Sequence, residues 1–245
     1  MKMTNSMQAH SKSAIGRGLG LIVLWLIFAT YAFRFAPPVD FKATFVLIRD
    51  LVVFKIEGIN PLVAALFYLM GMWPLAYACL TLADGRGQRL WAWFFTVASM
   101  AVGAFALLPY LALRSPNATF PGKKGILIRL LDARLTGIAF ATGGFLLLGF
   151  GLLKGNWVDF AEQFQSSRFI HVMSLDFCVL CLAFPALLGD DMARRGLRSS
   201  RVFWAVSLLP IVGPLMYLCL RPALPEPERH PQAASVRSSP AEPTA

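Results

Sequence analysis

The sequence predicts an all-α polytopic membrane protein, a bundle of about six transmembrane helices. Three observations predict it. Of the 245 residues 57% are hydrophobic and 15% charged, with a mean hydropathy of +0.60, whereas soluble domains run at about 45–50% and about 25%. Apolar runs of about 20 residues, the length that crosses a bilayer, recur along the chain. The Lys and Arg collect at the ends of those runs, where cationic flanks meet headgroups.

Residues 1–17 form a polar tail with Lys2, Lys12 and Arg17. The next run resembles a secretory signal, but it continues to Phe35 with no small-residue cleavage site, so a retained first span is expected over 18–36, ended by Pro37-Pro38. Residues 39–58 carry Asp40, Lys42, Arg49, Asp50, Lys55 and Glu57 between apolar residues and cannot span. Phe41, Phe45, Ile48, Val52 and Ile56 recur at helical steps. They predict an amphipathic helix, either lying in the interface or connecting spans along the bundle.

The second span covers 60–82. Asn60 is a good N-cap, Pro61 suits the first turn, and Pro74 should kink the helix. A tight loop at 83–89 leads to the third span, 90–113, with Trp91 and Trp93 at belt positions. Residues 114–133 are a basic connection with a short apolar helix near Ile126 to Leu131; its Asn117-Ala118-Thr119 sequon is a pattern common by chance. The fourth span, 134–153, carries Gly137, Gly143, Gly144, Gly149 and Gly151, which predict close helix packing. Trp157 and Phe160 anchor the linker that follows. The fifth span is 168–188 and the sixth 201–220, with Pro210 and Pro214 inside it. A Pro-, Ala-, Ser- and Glu-rich tail over 221–245 is expected to be disordered.

No internal repeat stands out. Leu107-Leu108-Pro109 and Leu208-Leu209-Pro210 match, but three residues are no evidence of duplication. With six spans the Lys and Arg divide ten to 13 between the two faces. The positive-inside rule then only weakly places the loop with Arg194 and Arg195 in the cytoplasm.

The net charge of +10 and pI of about 9.9 do not point to nucleic acid, because no basic patch is interleaved with stacking aromatics in a soluble segment. Cys79, Cys178, Cys181 and Cys219 lie in apolar runs and read as small hydrophobes. Cys178 and Cys181 have Cys-x-x-Cys spacing, but without the exposed helix start or further ligands that redox or zinc chemistry needs.

Asp176 is the sharpest signal. It sits near the centre of the fifth span, where a charge costs about 2.5–3.5 kcal/mol on insertion scales. It shares a helical face with Val172, Val179 and Ala183, while His171, Ser174, Cys178 and Cys181 fall on another stripe. Asp176 and His171 therefore do not pair within the helix. No Lys or Arg lies at mid-depth in another span, so Asp176 is protonated, held by a hydroxyl, or paired with a partner or cofactor. Ser174, one helical turn from His171, is the third polar group at this depth. His171 is the one histidine in a membrane segment; a packing hydrogen bond and a single axial bond to haem or chlorophyll are the two roles open to it. After the fifth span, Asp190 and Arg194, and Asp191 and Arg195, are four apart and able to pair on a continued helix. They read as a solvated helix end or as an exposed docking loop. No hydrolase elbow, phosphate loop, nucleotide fingerprint or carboxylate pair is present, so an enzyme is not expected.

The run from Arg168 to Cys178, followed by Phe184 to Arg195, resembles a family of integral membrane proteins of cyanobacteria with chloroplast relatives. Leu130 to Arg134 and the span after them resemble it too. The resemblance covers the C-terminal half. It implies a thylakoid or plasma membrane in an oxygenic phototroph and carries no established catalytic residues. Three functions are expected in turn. The first is a non-enzymatic factor for the assembly, stability or regulation of larger membrane complexes, photosynthetic ones among them. The second is a small transporter using Asp176, and the third a pigment- or haem-binding protein using His171. The lipid bilayer and a larger complex are the expected partners; nucleic acid is not one.

Overall fold

In a computed structural model, residues 2–225 are described, with side chains from residue 15 onward. The chain is all helical, as predicted, and four helical segments are long and apolar enough to cross a membrane: Ile15–Arg34, Pro61–Gly87, Arg134–Lys154 and Arg168–Arg194. They belong to α1 (Lys2–Arg34), α3 (Pro61–Asp84), α7 (Arg134–Lys154), and α9 (Arg168–Ala183) running into α10 (Pro185–Arg194). Asn60 caps α3 through Leu62 N–H, and Ser167 caps α9 through Ile170 N–H. Pro185 separates α9 from α10, as a proline that removes a helical donor should.

The expected third and sixth spans do not cross. Residues 92–113 are two short helices, α4 (Ala92–Val102) and α5 (Ala104–Leu113), separated by Gly103 at φ 54° and ψ −127°. At 1.5 Å per residue each is about 16 Å long, half of a hydrocarbon core of about 30 Å. The second helix returns to the face that the first one left. Gln88, before α4, and Ser115, after α5, exchange two hydrogen bonds of 2.6 and 2.8 Å. Arg114 at the end of α5 pairs with Asp84 at the end of α3. Gly103 makes the reversal cheap, since glycine tolerates positive φ.

The expected sixth span is built alike. α11 (Ser200–Leu208) and α12 (Val212–Leu220) meet at a break where Ile211 has φ 67°. Arg221, after α12, pairs with Asp191 near the end of α10. Gly213 lies so close to Val206 that a Cβ would overlap its backbone. The described residues therefore form four segments of spanning length and two helical hairpins too short to cross.

Two interfacial helices and a connector complete the fold. α2 (Phe41–Val52) is capped by Asp40 and turns Phe41, Phe45 and Val52 outward. α8 (Trp157–Ser166) is capped by Asn156 and exposes Trp157 and Val158. α6 (Ile126–Asp132) links the halves.

The chain is thus an internal duplication that its sequence conceals. Each half reads span, interfacial helix, span, hairpin: α1, α2, α3, α4–α5, then α7, α8, α9–α10, α11–α12. The second spans and hairpins match at a shift of 107 residues: 60 and 167 are the N-caps, 84 and 191 the aspartates, 110 and 217 the tyrosines, 114 and 221 the arginines. In both halves the tyrosine lies 26 and the arginine 30 residues after the aspartate they contact. Each half holds two segments of spanning length, so the two halves run in the same direction. The equivalent residues Tyr77 and Phe184 meet each other, ring centroids 5.5 Å apart. The first span of each half also gives the hairpin a glycine to lie on. A Cβ on Gly18 would stand 2.7 Å from the Ala112 carbonyl, and one on Gly137 would overlap Leu218. Of the five glycines in the fourth run, only Gly137, Gly144 and Gly151 face protein, a single stripe on a helix otherwise turned outward.

The hairpins also change the charge count. Among residues 2–225, Arg34, Lys42, Arg49, Lys55, Lys154 and Arg168 lie at one end of the bundle. The remaining 15 Lys and Arg lie at the other, which we call the basic end. The boundary of the expected tail moves as well. Arg221 and Leu224 are packed, with Leu224 N–H 2.9 Å from Asp132 Oδ2 and its side chain against Ala83 and Ile128. Residues 226–245 lie outside the described part.

Candidate functional site

Two regions gather polar groups that the bilayer would otherwise exclude. The first is a buried ionic cluster at the basic end, built on two aspartates. Asp84 accepts from Tyr110 Oη at 2.6 Å, from Arg114 Nε and Nη2 at 2.8 and 2.6 Å, and from Arg194 Nη1 at 2.9 Å. Asp191 accepts from Tyr217 Oη at 2.7 Å, Arg195 Nε at 2.8 Å and Arg221 Nη1 at 3.3 Å. Arg194 joins the two hubs, with Nη2 3.6 Å from Asp191 Oδ1. Arg114 also binds Asp190, and Arg195 binds Asp132 at 2.6 Å. Burial pushes the Asp132 carboxyl up, but hydrogen bonds from Lys124 and Arg195 outweigh it and hold the pKa below the ordinary 3.8. The Asn117 side chain donates to the Asp84 carbonyl at 2.9 Å, so the sequon asparagine is spent inside the protein.

This corrects the expected docking loop. Asp191, Arg194 and Arg195 are buried and Asp190 is engaged by Arg114. Asp191 and Arg195 do form the predicted i,i+4 pair, but Arg194 turns to Asp84 rather than to Asp190. The physical reason is the hairpins. Each brings an arginine back to the same face, and the acidic residues at the ends of α3 and α10 turn inward to meet them.

The second region is a cavity of about 650 Å³ at the opposite end. Its outer part is lined where α1 ends and α9 begins, by Phe33, Val39, Thr44 and Arg168. It runs inward between α3 and α9, past Phe67, Phe169 and Val172, to the tip of the first hairpin, where Ser99, Gly103 and Asp176 line it. Most of the lining is apolar.

Asp176 closes the inner end. Its Oδ1 accepts the Ala104 N–H at 2.7 Å. Ala104 opens α5, which has no side-chain cap of its own, so α9 supplies the cap from across the bundle. A bare helix N-terminus at mid-membrane leaves donors without partners, and the carboxylate satisfies one of them while its charge sits at the positive end of the dipole. A Cβ on Gly103 would overlap the carboxylate, so the glycine serves both the reversal and the contact. Asp176 was expected to be protonated, held by a hydroxyl or paired with another molecule; the partner the fold supplies is a backbone N–H. Oδ2 receives no hydrogen bond among the described residues, and the residue is 6% exposed, toward the cavity.

The other sequence candidates do not join it. His171 Nε2 meets Tyr31 Oη at 3.1 Å and Nδ1 meets the Phe164 carbonyl at 2.8 Å, with Phe164 and Tyr31 stacked on the ring. Both ring nitrogens are engaged, so an axial bond to haem or chlorophyll would require one of these contacts to open. Ser174 Oγ donates back to the Ile170 carbonyl at 2.7 Å. Arg168 donates to the carbonyls of Pro37 and Ala36 and so ties the end of α1 to α9. The helical-wheel separation of Asp176 from His171 holds: only Asp176 lines the cavity.

Sequence reasoning missed Gly103, Ala104 and Asp84, and placed Asp191 at an exposed helix end rather than in a buried hub. The repeated spacing of Asp, Tyr and Arg was the available signal. No protein-family model matches the chain, and neither does a curated protein or a solved structure. Fold and site define an integral membrane protein of two parallel repeats, each ending in a re-entrant hairpin.

Proposed function

We propose that the protein is a small-molecule carrier whose substrate site is the cavity below the first hairpin. One observation carries this: a cavity of substrate size reaches from one membrane face to a carboxylate at the tip of a broken helix. Non-helical backbone at membrane depth is tolerated where it is buried or lines a cavity, and broken helices whose half-helix N-termini meet polar groups near the midplane are the recurring element of transporter sites. Parallel repeats about an axis normal to the membrane belong to the same group of architectures.

The charge distribution gives the cavity a direction. With 15 Lys and Arg at the basic end against six at the other, the positive-inside rule places the basic end in the cytoplasm or its organellar equivalent. The cavity then opens on the opposite face and the first hairpin blocks it on the cytoplasmic side. The resemblance to cyanobacterial and chloroplast proteins makes a thylakoid or plasma membrane the setting in this proposal. The alternative reading, a factor for the assembly, stability or regulation of larger membrane complexes, is supported by the compact size, the short loops and the resemblance of the C-terminal half.

The test is side-specific thiol labelling. Val172 lines the cavity one turn before Asp176. In a background lacking the four native cysteines, Val172→Cys is expected to react with a membrane-impermeant reagent added from the non-basic face and not from the basic face. Absence of labelling from either face would mean a dry cavity and would end the carrier reading.

A further inference from the structure

Resting on that reading, we infer the substrate class: a lipophilic monocation, an organic ammonium or phosphonium ion with an apolar body. Among the described residues Asp176 has one hydrogen-bond partner, a neutral backbone N–H, and it is nearly enclosed. Buried charges are ordinarily paired. The other charged residue lining the cavity is Arg168, eight residues earlier, at the mouth, about 12 Å away along α9. Its guanidinium is held by the Ala36 and Pro37 carbonyls. An ionised Asp176 therefore faces a cavity that holds no counter-charge within reach.

The walls select what can supply that charge. Phe33, Phe67, Phe105 and Phe169 line the space, and aromatic faces attract organic cations as well as apolar surface. Calcium, which takes six to eight oxygens, and magnesium, which takes an octahedral set, do not fit a site with one carboxylate. Besides Asp176, the hairpin offers the hydroxyl of Ser99, which already donates to the Thr96 carbonyl. An anion would meet the carboxylate. A neutral apolar molecule would leave Asp176 Oδ2 without a partner. The volume of about 650 Å³ lies within the roughly 300–1,000 Å³ of small-molecule sites.

The experiment uses the full chain in detergent, with tetraphenylphosphonium and tetraphenylborate as probes. The two ions share size and shape and differ in sign. Binding above protein-free micelles is measured for wild type, Asp176→Asn and Asp176→Glu. The cation is expected to bind at least about tenfold more tightly than the borate, a difference of about 1.4 kcal/mol. Asp176→Asn should abolish that preference and Asp176→Glu should keep much of it. The comparison of the two ions on wild type stands even if a variant fails to fold. Equal binding of both ions, a preference for the borate, or a preference that survives Asp176→Asn would overturn the monocation. If the preference fails while Val172→Cys is still labelled from the non-basic face, the substrate class falls and the carrier reading stands. If that labelling is absent, both fall.

Discussion

The two hairpins share one plan and differ at one point. Both return an arginine to an aspartate at the end of the preceding span, with a tyrosine from the same helix on the same carboxylate. Their tips diverge. In the second hairpin, Val212 and Gly213 donate to Pro210 and Leu209, so the turn satisfies itself, at the cost of Ile211 in a left-handed conformation. In the first, a glycine takes the reversal and the Ala104 N–H goes to Asp176 on the other repeat. The position of α3 in register with Asp176 is Leu69, buried and apolar. One repeat thus keeps the scaffold, and the other adds a carboxylate and a cavity. The anchors are structural and shared; the functional feature is where the symmetry is broken.

That comparison is tested most severely at the anchors. Asp84→Ala and Asp191→Ala should each destabilise by about 3–5 kcal/mol, because each leaves buried arginines without a counter-charge. Thermal unfolding in detergent should show similar losses for the two. A large loss for one and none for the other would break the equivalence of the repeats.

The tips should respond unequally. Gly103→Ala forces a Cβ into the Asp176 carboxylate at positive φ and should cost about 1–3 kcal/mol. Ile211→Gly relieves a β-branched residue at φ 67°, so its strain relief offsets the cavity left by the lost side chain. The same unfolding assay should find it clearly milder than Gly103→Ala. Asp176→Asn keeps an oxygen for the Ala104 N–H and should change stability by less than about 1 kcal/mol while removing cation preference. A stability loss as large as at Asp84 would make Asp176 one more anchor.

The smallest expected effect is a pH dependence at the basic end. The Asp132 carboxyl titrates below its ordinary 3.8. Its contribution is therefore fully present above about pH 4 and is lost as pH falls through the lower folded value. Asp132→Asn should flatten the acid limb of the stability profile and leave neutral pH with the loss of its ion pairs alone.

The helical membrane class was legible because composition and run length report directly on the solvent. Asp176 was legible for the same reason: a charge in an apolar run is costly wherever the run folds. The hairpins were not. A run such as 90–113 has the composition of a span, and hydropathy cannot tell one helix from two halves. Gly103 and Pro210 are single residues in runs that span-forming helices also carry. The duplication stayed hidden because its conserved features are four residues in each half, spread over 55 positions from N-cap to arginine (60 to 114 and 167 to 221). The matching tripeptides at 107–109 and 208–210 are out of that register. The charge at 190–195 was visible as well, but not its direction, since burial of that cluster depends on arginines that only re-entrant hairpins return to the same face.

The most direct measurement is the sidedness of the ends of the first hairpin. Arg89 and Ser115 are exposed just before and just after it. In a cysteine-free background, Arg89→Cys and Ser115→Cys are expected to be labelled by an impermeant thiol reagent from the same face, the one opposite that which labels Val172→Cys. Labelling of positions 89 and 115 from opposite faces would restore a full span between them and remove the hairpin tip on which the Asp176 site depends.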